Sequence, residues 1–326
     1  MIVDCHNHVL PTEALELLAS ERAFRARVDG DLITGDGHSD FRNGLRLRPT
    51  FHDPSAKLDD LAEQGIDGAV VSVTPPLFFY ETDSSAGAEM AEAVNAGLAR
   101  FCSHDPARLR WLAHVPMQDP LRAANMLEGA LGAGAAGVEV GTSIAGARLD
   151  DRRFEPFWEA ADAMSALVQI HPAYNQEHPA LNDWYLQNSI GNLLETTIAA
   201  ERLVCAGTLD RHPRVRWFLV HAGGFLPYQL GRLAHTARVR PELRDVGDPW
   251  AYLDRFWFDT IAHDRAALAY LVERVTPARV VLGTDLPFDM APVDPVGQVR
   301  EALDHDVAQF VLHNGSEALV GPERRF

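Results

Sequence analysis

Short apolar runs alternate with longer segments of helical spacing along nearly the whole chain. The opening Met1-Ile2-Val3 runs into Asp4-Cys5-His6-Asn7-His8 and reads as a first strand. Further apolar runs fall at 68–73, 109–115, 137–141, 166–171, 215–221, 255–259 and 279–285, which makes eight in all. Their near-continuous Val, Ile and Leu content predicts strands buried on both faces, as in a parallel sheet. Between them the spacing turns helical. In 54–64, Leu58 and Leu61 lie three apart and Gly65 reads as a C-cap. Similar stretches cover 84–101, 120–132, 154–163, 191–211, 266–275 and 307–319. Eight strand–helix alternations in 326 residues predict an α/β fold, a (β/α)8 TIM barrel forming one domain over 1–326. An open doubly wound sheet is the competing topology, but no Gly-x-Gly-x-x-Gly follows an early strand. Residues 21–49 break the rhythm. They are rich in Arg, Asp and Gly, lack helical period, and read as an inserted pair of short strands with tight turns, a small flap over the barrel mouth.

Composition narrows the classes. Hydrophobic residues make up 47%, which affords a large core. The formal net charge of −17 argues against a nucleic-acid or anionic-membrane surface, because phosphate binding needs a positive footprint. No apolar run approaches the roughly 18 residues of a membrane span. Cys5, Cys102 and Cys205 are widely spaced and odd in number, so they read as reduced thiols in a cytoplasmic protein. The candidate ligands begin at residue 6, leaving no room for a cleavable signal before them.

The polar residues at the strand ends change the picture most. In a barrel, the C-terminal ends of the strands share one mouth, where active sites lie. His6 and His8 stand two apart on the first strand and therefore face the same side. His171 closes the fifth strand, His221 the sixth and Asp285 the eighth. Each alone reads as a cap or loop residue; their agreement in position points to one site. Three imidazoles and a carboxylate suit a borderline divalent ion such as zinc. The ligand set is His6, His8, His171 and Asp285, with His221 better placed as an acid–base group. No lysine ends the fourth strand, so a single metal ion is expected rather than a lysine-bridged pair. Glu139, inside that strand, reads either as a fifth polar group or as a buried carboxylate held by partners.

The pattern Asp4-x-His6-x-His8-x-x-Pro11, with His171-Pro172, His221-Ala222-Gly223-Gly224 and Gly283-Thr284-Asp285-x-Pro287-Phe288, resembles the amidohydrolase superfamily, and within it the branch typified by aminocarboxymuconate-semialdehyde decarboxylase. The resemblance covers nearly the whole chain, through Asp53-Pro54, Gln64-Gly65-Ile66, Pro116-Met117-Gln118 and Pro227-Tyr228 among others. It implies one divalent metal, zinc in most members and Mn2+ in some, on His6, His8, His171 and Asp285, with His221 as the acid–base histidine. It implies a homodimer in which Arg240 reaches the neighbouring site to hold a substrate carboxylate. It implies a second carboxylate-binding arginine in the flap, Arg46 or Arg48, and pocket aromatics at Phe288 and Trp184. The loop 173–182 and His114 depart from the family and are expected to line the pocket, which points to a different substrate.

The expected function is a metal-dependent non-oxidative decarboxylase (a carboxy-lyase) acting on a small carboxylated aromatic or ring-cleavage product. The alternative keeps the site and makes the enzyme a hydrolase or hydratase working through metal-bound hydroxide. A structural zinc protein is disfavoured by the absence of a cysteine cluster.

Overall fold

A computed structural model of the protein describes residues 1–35, 41, 44–173 and 179–321. Eight parallel strands run in sequence order: β1 (Val3–Val9), β2 (Gly68–Val73), β3 (Leu109–His114), β4 (Gly137–Gly141), β5 (Leu167–His171), β6 (Arg216–Leu219), β7 (Phe256–Asp259) and β8 (Val280–Val281). The sheet closes on itself. Cys5 N–H donates to the Leu282 carbonyl at 2.8 Å, Asp285 N–H to the His6 carbonyl at 2.9 Å and His8 N–H to the Leu286 carbonyl at 2.8 Å. β1 is therefore bonded to β2 on one side and to the segment after β8 on the other, which removes the sheet edge. The fold is the TIM barrel that the apolar runs predict.

Helices cover the outside of the barrel: Thr12–Ser20, Pro54–Glu63, Ser84–Cys102, Pro120–Gly132, Glu155–Ala163, Leu193–Cys205, Leu226–Val239, Arg265–Val275, Pro295–Ala302 and His305–Val320. Many start the same way. Asp53, Asp83, Asp119, Asp264 and Asp294 are N-caps whose carboxylates accept backbone N–H groups two or three residues on. Proline follows directly at 54, 120 and 295, where no helical N–H is needed.

The structure differs from the sequence reading in four places. Thr12–Ser20, Leu226–Val239 and Pro295–Ala302 are helices that the periodicity does not announce. In Leu226–Val239, Pro227 and Gly231 obscure the pattern, yet Pro227 sits in the first turn, where proline is tolerated. The helix expected over 191–211 is three pieces: a π-helical turn Gln187–Asn192, the helix Leu193–Cys205, and a short Thr208–Arg211 set off by Gly207 at φ +68°. The last strand is laddered to β7 only at Val280–Val281, because Asp285 adopts φ +64° and residues 282–286 turn to bond β1 instead.

The flap has three antiparallel strands rather than two, Ala26–Asp29, Leu32–Gly35 and Leu45–Arg46. Gly30, at φ +60°, makes its first turn. Residues 36–40 and 42–43 of the expected insertion, and 174–178 of the loop 173–182, lie outside the described residues. Inside the barrel, Leu167, Gln169 and His171 face the same way along β5. Leu167 joins Val70, Leu112 and Phe218 in an apolar cluster with Leu319 and Val320, a dry floor. Above it comes a polar layer, and the histidines open at the mouth.

Candidate metal centre and active site

The sequence places histidines at strand ends; the hydrogen bonds fix which nitrogen each one offers. His6 Nδ1 lies 2.8 Å from Asp259 Oδ2, His8 Nδ1 lies 3.1 Å from the Val73 carbonyl, and His171 Nδ1 lies 2.6 Å from the Pro172 carbonyl. Each of these partners is an acceptor, so each Nδ1 carries the proton and each Nε2 presents a bare lone pair in the neutral ring. The bare nitrogens converge. His6 Nε2 and His8 Nε2 are 3.1 Å apart, and Asp285 Oδ1 lies 3.2 Å from His8 Nε2 and 3.7 Å from His6 Nε2. His171 Nε2 is buried without a hydrogen-bond partner among the described residues. One ligand atom each from His6, His171, His221 and Asp285 lies within 4.8 Å of all the others. Lone pairs and a carboxylate crowded this way repel one another unless a cation or protons sit between them, so the donor set fits a divalent metal ion.

The electrostatics agree. Burial pushes the His6 and His171 imidazoles below their usual pKa, and the neighbouring imidazoles add to this at His171, which favours the neutral ligating form. At His8 burial also opposes charge, but the Asp285 hydrogen bond and the Glu139 carboxylate outweigh it and raise the pKa. At Asp285 burial disfavours ionisation, yet hydrogen bonds from His221 and His8 hold its carboxyl well below the usual range.

His221 differs from the other three. Its Nε2 stands 3.8 Å from Asp285 Oδ2, and its buried Nδ1 has no partner among the described residues. Its tautomer is therefore not pinned. A ring that can shed or take a proton at either nitrogen suits acid–base work better than fixed ligation.

Supporting groups missed in the sequence lie directly behind these. Asp259 is fully buried. Besides His6, it accepts the backbone N–H groups of His221 (2.8 Å), Ala222 (2.7 Å) and Ile261 (3.0 Å), and these bonds hold its carboxyl below the ordinary range despite burial. It ends β7, so the strand-end rule that marks His171 and Asp285 marks it too. Asp4 accepts from the His6 N–H (3.0 Å), Asn7 Nδ2 (2.7 Å) and the Thr284 N–H (3.1 Å) and hydroxyl (2.5 Å), tying β1 to the loop that carries Asp285. Burial pushes its carboxyl up to about 6. Lys57 is fully buried and donates to Asn7 Oδ1 (2.6 Å) and the His8 carbonyl (3.0 Å); burial pushes its ammonium down to about 7. Nothing in the spacing of a polar helix marks such a lysine. Glu139 is held by Ser72 (2.9 Å) and Gln169 (2.7 Å), and burial pushes it up to about 7. It also lies within ligand range of His8 and His171, so both readings of it apply.

A cavity of about 390 Å³ opens onto this cluster and contains His171, His221 and Asp285 in its wall. Arg46 and Arg48 line it, two apart on an extended segment and so on one side. Phe288 lines it as well, its ring 5.3 Å from that of His8. Three expected pocket residues lie elsewhere in this chain. Trp184 is 87% exposed and outside the cavity wall; its neighbour Tyr185 is the lining aromatic, because the two adjacent residues point apart. His114 is a core residue, stacked on Phe78 at 5.3 Å, and burial pushes its pKa down to about 4. Arg240 sits on the surface after the helix Leu226–Val239 and pairs with Glu242 at 2.6 Å.

A TIM barrel with three histidines and one aspartate clustered at its mouth defines a metal-dependent hydrolase-like enzyme, and the sequence profile of the amidohydrolases matches residues 3–321. The chain belongs to the amidohydrolase family. Within it the chain falls in the decarboxylase branch. It is 28% identical over 313 residues to the 2-amino-3-carboxymuconate-6-semialdehyde decarboxylase of Dictyostelium discoideum, covering 92% of this chain and 85% of that one. It is 30% identical over 318 residues to the 6-methylsalicylic acid decarboxylase of Aspergillus aculeatus, covering 94% and 90%. Its fold matches the dihydroxybenzoic acid decarboxylase of Polaromonas sp., a structure with bound manganese and 2-nitroresorcinol, with a TM-score of 0.81, 22% identity and 99% and 98% coverage.

Proposed function

We propose that this enzyme is a metal-dependent decarboxylase that removes carbon dioxide, without net oxidation, from a small carboxylated aromatic or ring-cleavage product. The observation that carries the reading is the convergence of three tautomer-fixed imidazoles and Asp285 beside an unpinned His221, at the end of a cavity whose other wall bears arginines. His6, His8, His171 and Asp285 would hold the ion. The nitrogen-rich set supports zinc, with manganese the alternative that the Polaromonas relative illustrates. Once bound, such an ion supplies a positive charge that polarises a substrate oxygen and acidifies water.

The protein's own groups do the rest. Arg46 and Arg48 hold substrate carboxylate through forked hydrogen bonds. Arg46 is already drawn to Asp31 at 2.5 Å, which favours Arg48 for the closer contact. Phe288 covers the ring. His221 delivers a proton to the carbon that bears the carboxylate. The carbon–carbon bond then breaks, its electron pair restores conjugation in the ring, and carbon dioxide leaves; the added proton takes the place of the lost carboxylate. Arg240, exposed beside the apolar Val239 and clear of its own cavity, supports a homodimer in which it reaches the partner's site. The free thiols Cys5, Cys102 and Cys205 support a cytoplasmic setting, and no helix among the described residues is long and apolar enough to cross a membrane.

The test is turnover in deuterium oxide. Carbon dioxide release with one solvent deuteron at the vacated carbon is expected, and His221→Ala should lower kcat by about 10²- to 10⁴-fold. Near-wild-type turnover in that variant rejects the acid–base assignment. Water oxygen in the product, with no carbon dioxide, makes the enzyme a hydrolase or hydratase.

A further inference from the structure

The cavity does not end at the histidine cluster. Beyond it lies a second lobe of about 350 Å³, and His221, Asp285, Asn188, Asn192 and Met290 line both. Ligand pockets run from roughly 300 to 1,000 Å³, so the first lobe alone is a fit for a single substituted ring and the second is additional room. The two differ in chemistry. The first carries Arg46 and Arg48. The second is walled by Phe225, Tyr228, Ile261, Ala262 and Ala267, and among the described residues its only acidic or basic lining groups are the shared His221 and Asp285 and His263, an exposed residue. The Tyr228 hydroxyl is occupied by the Ala267 carbonyl at 3.2 Å, which leaves the ring as its contribution to the wall.

The partition between the lobes is the π-helical turn Gln187–Asn192. Such turns are rare and often occur at functional sites. This one brings Asn188 and Asn192 to the junction. Asn192 is only 7% exposed, and its Oδ1 is buried without a hydrogen-bond partner among the described residues. A buried amide oxygen left unpaired costs about 1–3 kcal/mol, and buried polar atoms in native proteins are overwhelmingly paired. At the meeting point of two cavities, the partner is a donor on the ligand.

We propose that the second lobe is a subsite for an apolar ring substituent, and that Asn192 guards its entrance by accepting a hydrogen bond from a hydroxyl or amino group on the substrate ring. The substrate class is then a hydroxy- or amino-substituted aromatic acid bearing an alkyl or aryl group. This rests on the decarboxylase reading for its chemistry but not for its binding.

The experiment uses the metal-loaded enzyme with salicylates carrying hydrogen, methyl, ethyl or propyl at each free ring position in turn. The matching alkylphenols, and the corresponding alkylbenzenes lacking the hydroxyl, serve as non-reacting ligands. In one positional series kcat/KM should climb about three- to fourfold per methylene, the value of burying one such group, and alkylphenol affinity should climb with it. Ala262→Trp, which fills the lobe, should flatten the propyl-to-hydrogen ratio towards one. Ala267→Leu provides the same test should the bulkier side chain prevent folding. Asn192→Leu should erase the preference for phenol over alkylbenzene. Flat or falling series at every position, or a gradient that survives in both filled variants, overturns the subsite. A phenol preference intact in Asn192→Leu overturns the role of Asn192. Carbon dioxide from no acid, with alkylphenol affinity still rising, removes the decarboxylase reading and leaves the subsite standing.

Discussion

Asp259→Asn tests how the metal centre is built. The carboxylate of Asp259 takes four donors, two on each oxygen: His6 Nδ1 and the His221 N–H on Oδ2, the Ala222 and Ile261 N–H groups on Oδ1. Asparagine keeps the shape and replaces one oxygen with an NH2 group. In either orientation two of the four donors then face a donor. If the amide nitrogen takes the Oδ2 position, His6 can escape by moving its proton to Nε2, but that removes its lone pair from the cluster; the His221 N–H has no such escape. If the nitrogen takes the Oδ1 position, two buried backbone N–H groups are orphaned. Each orphaned group costs about 1–3 kcal/mol, so the metal-free protein should lose about 2–5 kcal/mol, within the roughly 5–15 kcal/mol of a folded domain. Loss of the partner that orients a ligating histidine typically weakens metal binding by about 10–100-fold. Urea unfolding of the metal-free protein reads the first quantity, and competition against a chromophoric chelator reads the second. A variant that binds zinc within twofold of wild type while losing the expected stability would show that Asp259 serves the fold alone, and the assignment of the His6 tautomer would be wrong.

Three other outcomes are expected. Arg240→Ala and His221→Ala, each inactive alone, should regain activity when mixed, because one hybrid site is intact; no regain despite subunit exchange proven by mass spectrometry refutes the shared site. Lys57→Met should cost about 2–4 kcal/mol in urea unfolding, because it strips a buried donor from Asn7 and the His8 carbonyl and leaves Asp4 without its nearest buried cation; a change under 0.5 kcal/mol contradicts the network. For His114, burial lowers the folded pKa from 6.5 to about 4, so its uncharged ring contributes stability above the unfolded value that is lost as pH falls from about 6.5 towards 4. Wild type should therefore lose about 2 kcal/mol more than His114→Phe between pH 7.5 and pH 5, and parallel unfolding curves at both pH values would show that the ring is not buried uncharged.

The barrel is legible in the chain because strands buried on both faces must be apolar throughout, so 68–73 and 137–141 announce themselves with their bounds intact. The ligands are legible because strand ends share one mouth. What spacing cannot show is the layer behind the ligands. Lys57 lies on a helix that otherwise reads as polar and exposed, and its burial depends on where Asn7 and His8 sit, which is a tertiary fact. Asn192 is hidden for a similar reason, since a π-helical turn leaves the residue pattern looking helical while shifting which side chains face the cavity. Trp184 and Tyr185 are neighbours of like composition, and only the backbone, with φ +54° and +60°, decides which ring meets the pocket.

The same backbone explains why the site is both strained and stable. His221 and Ala222 at φ +54° and Asp285 at φ +64° occupy a conformation that costs a non-glycine residue roughly 1–2 kcal/mol. Such conformations persist only where the surroundings over-determine them. Here they do: Asp259 grips the N–H groups of His221 and Ala222, and the Asp285 N–H is bonded to the His6 carbonyl while Asp4 anchors Thr284 beside it. Asp259 also sets the His6 tautomer, and Asp4 also bonds the His6 backbone. The groups that offset the strain are thus the groups that aim the ligands. A substitution behind the cluster should therefore change stability and metal affinity together, whereas one in the second lobe should change ligand preference alone.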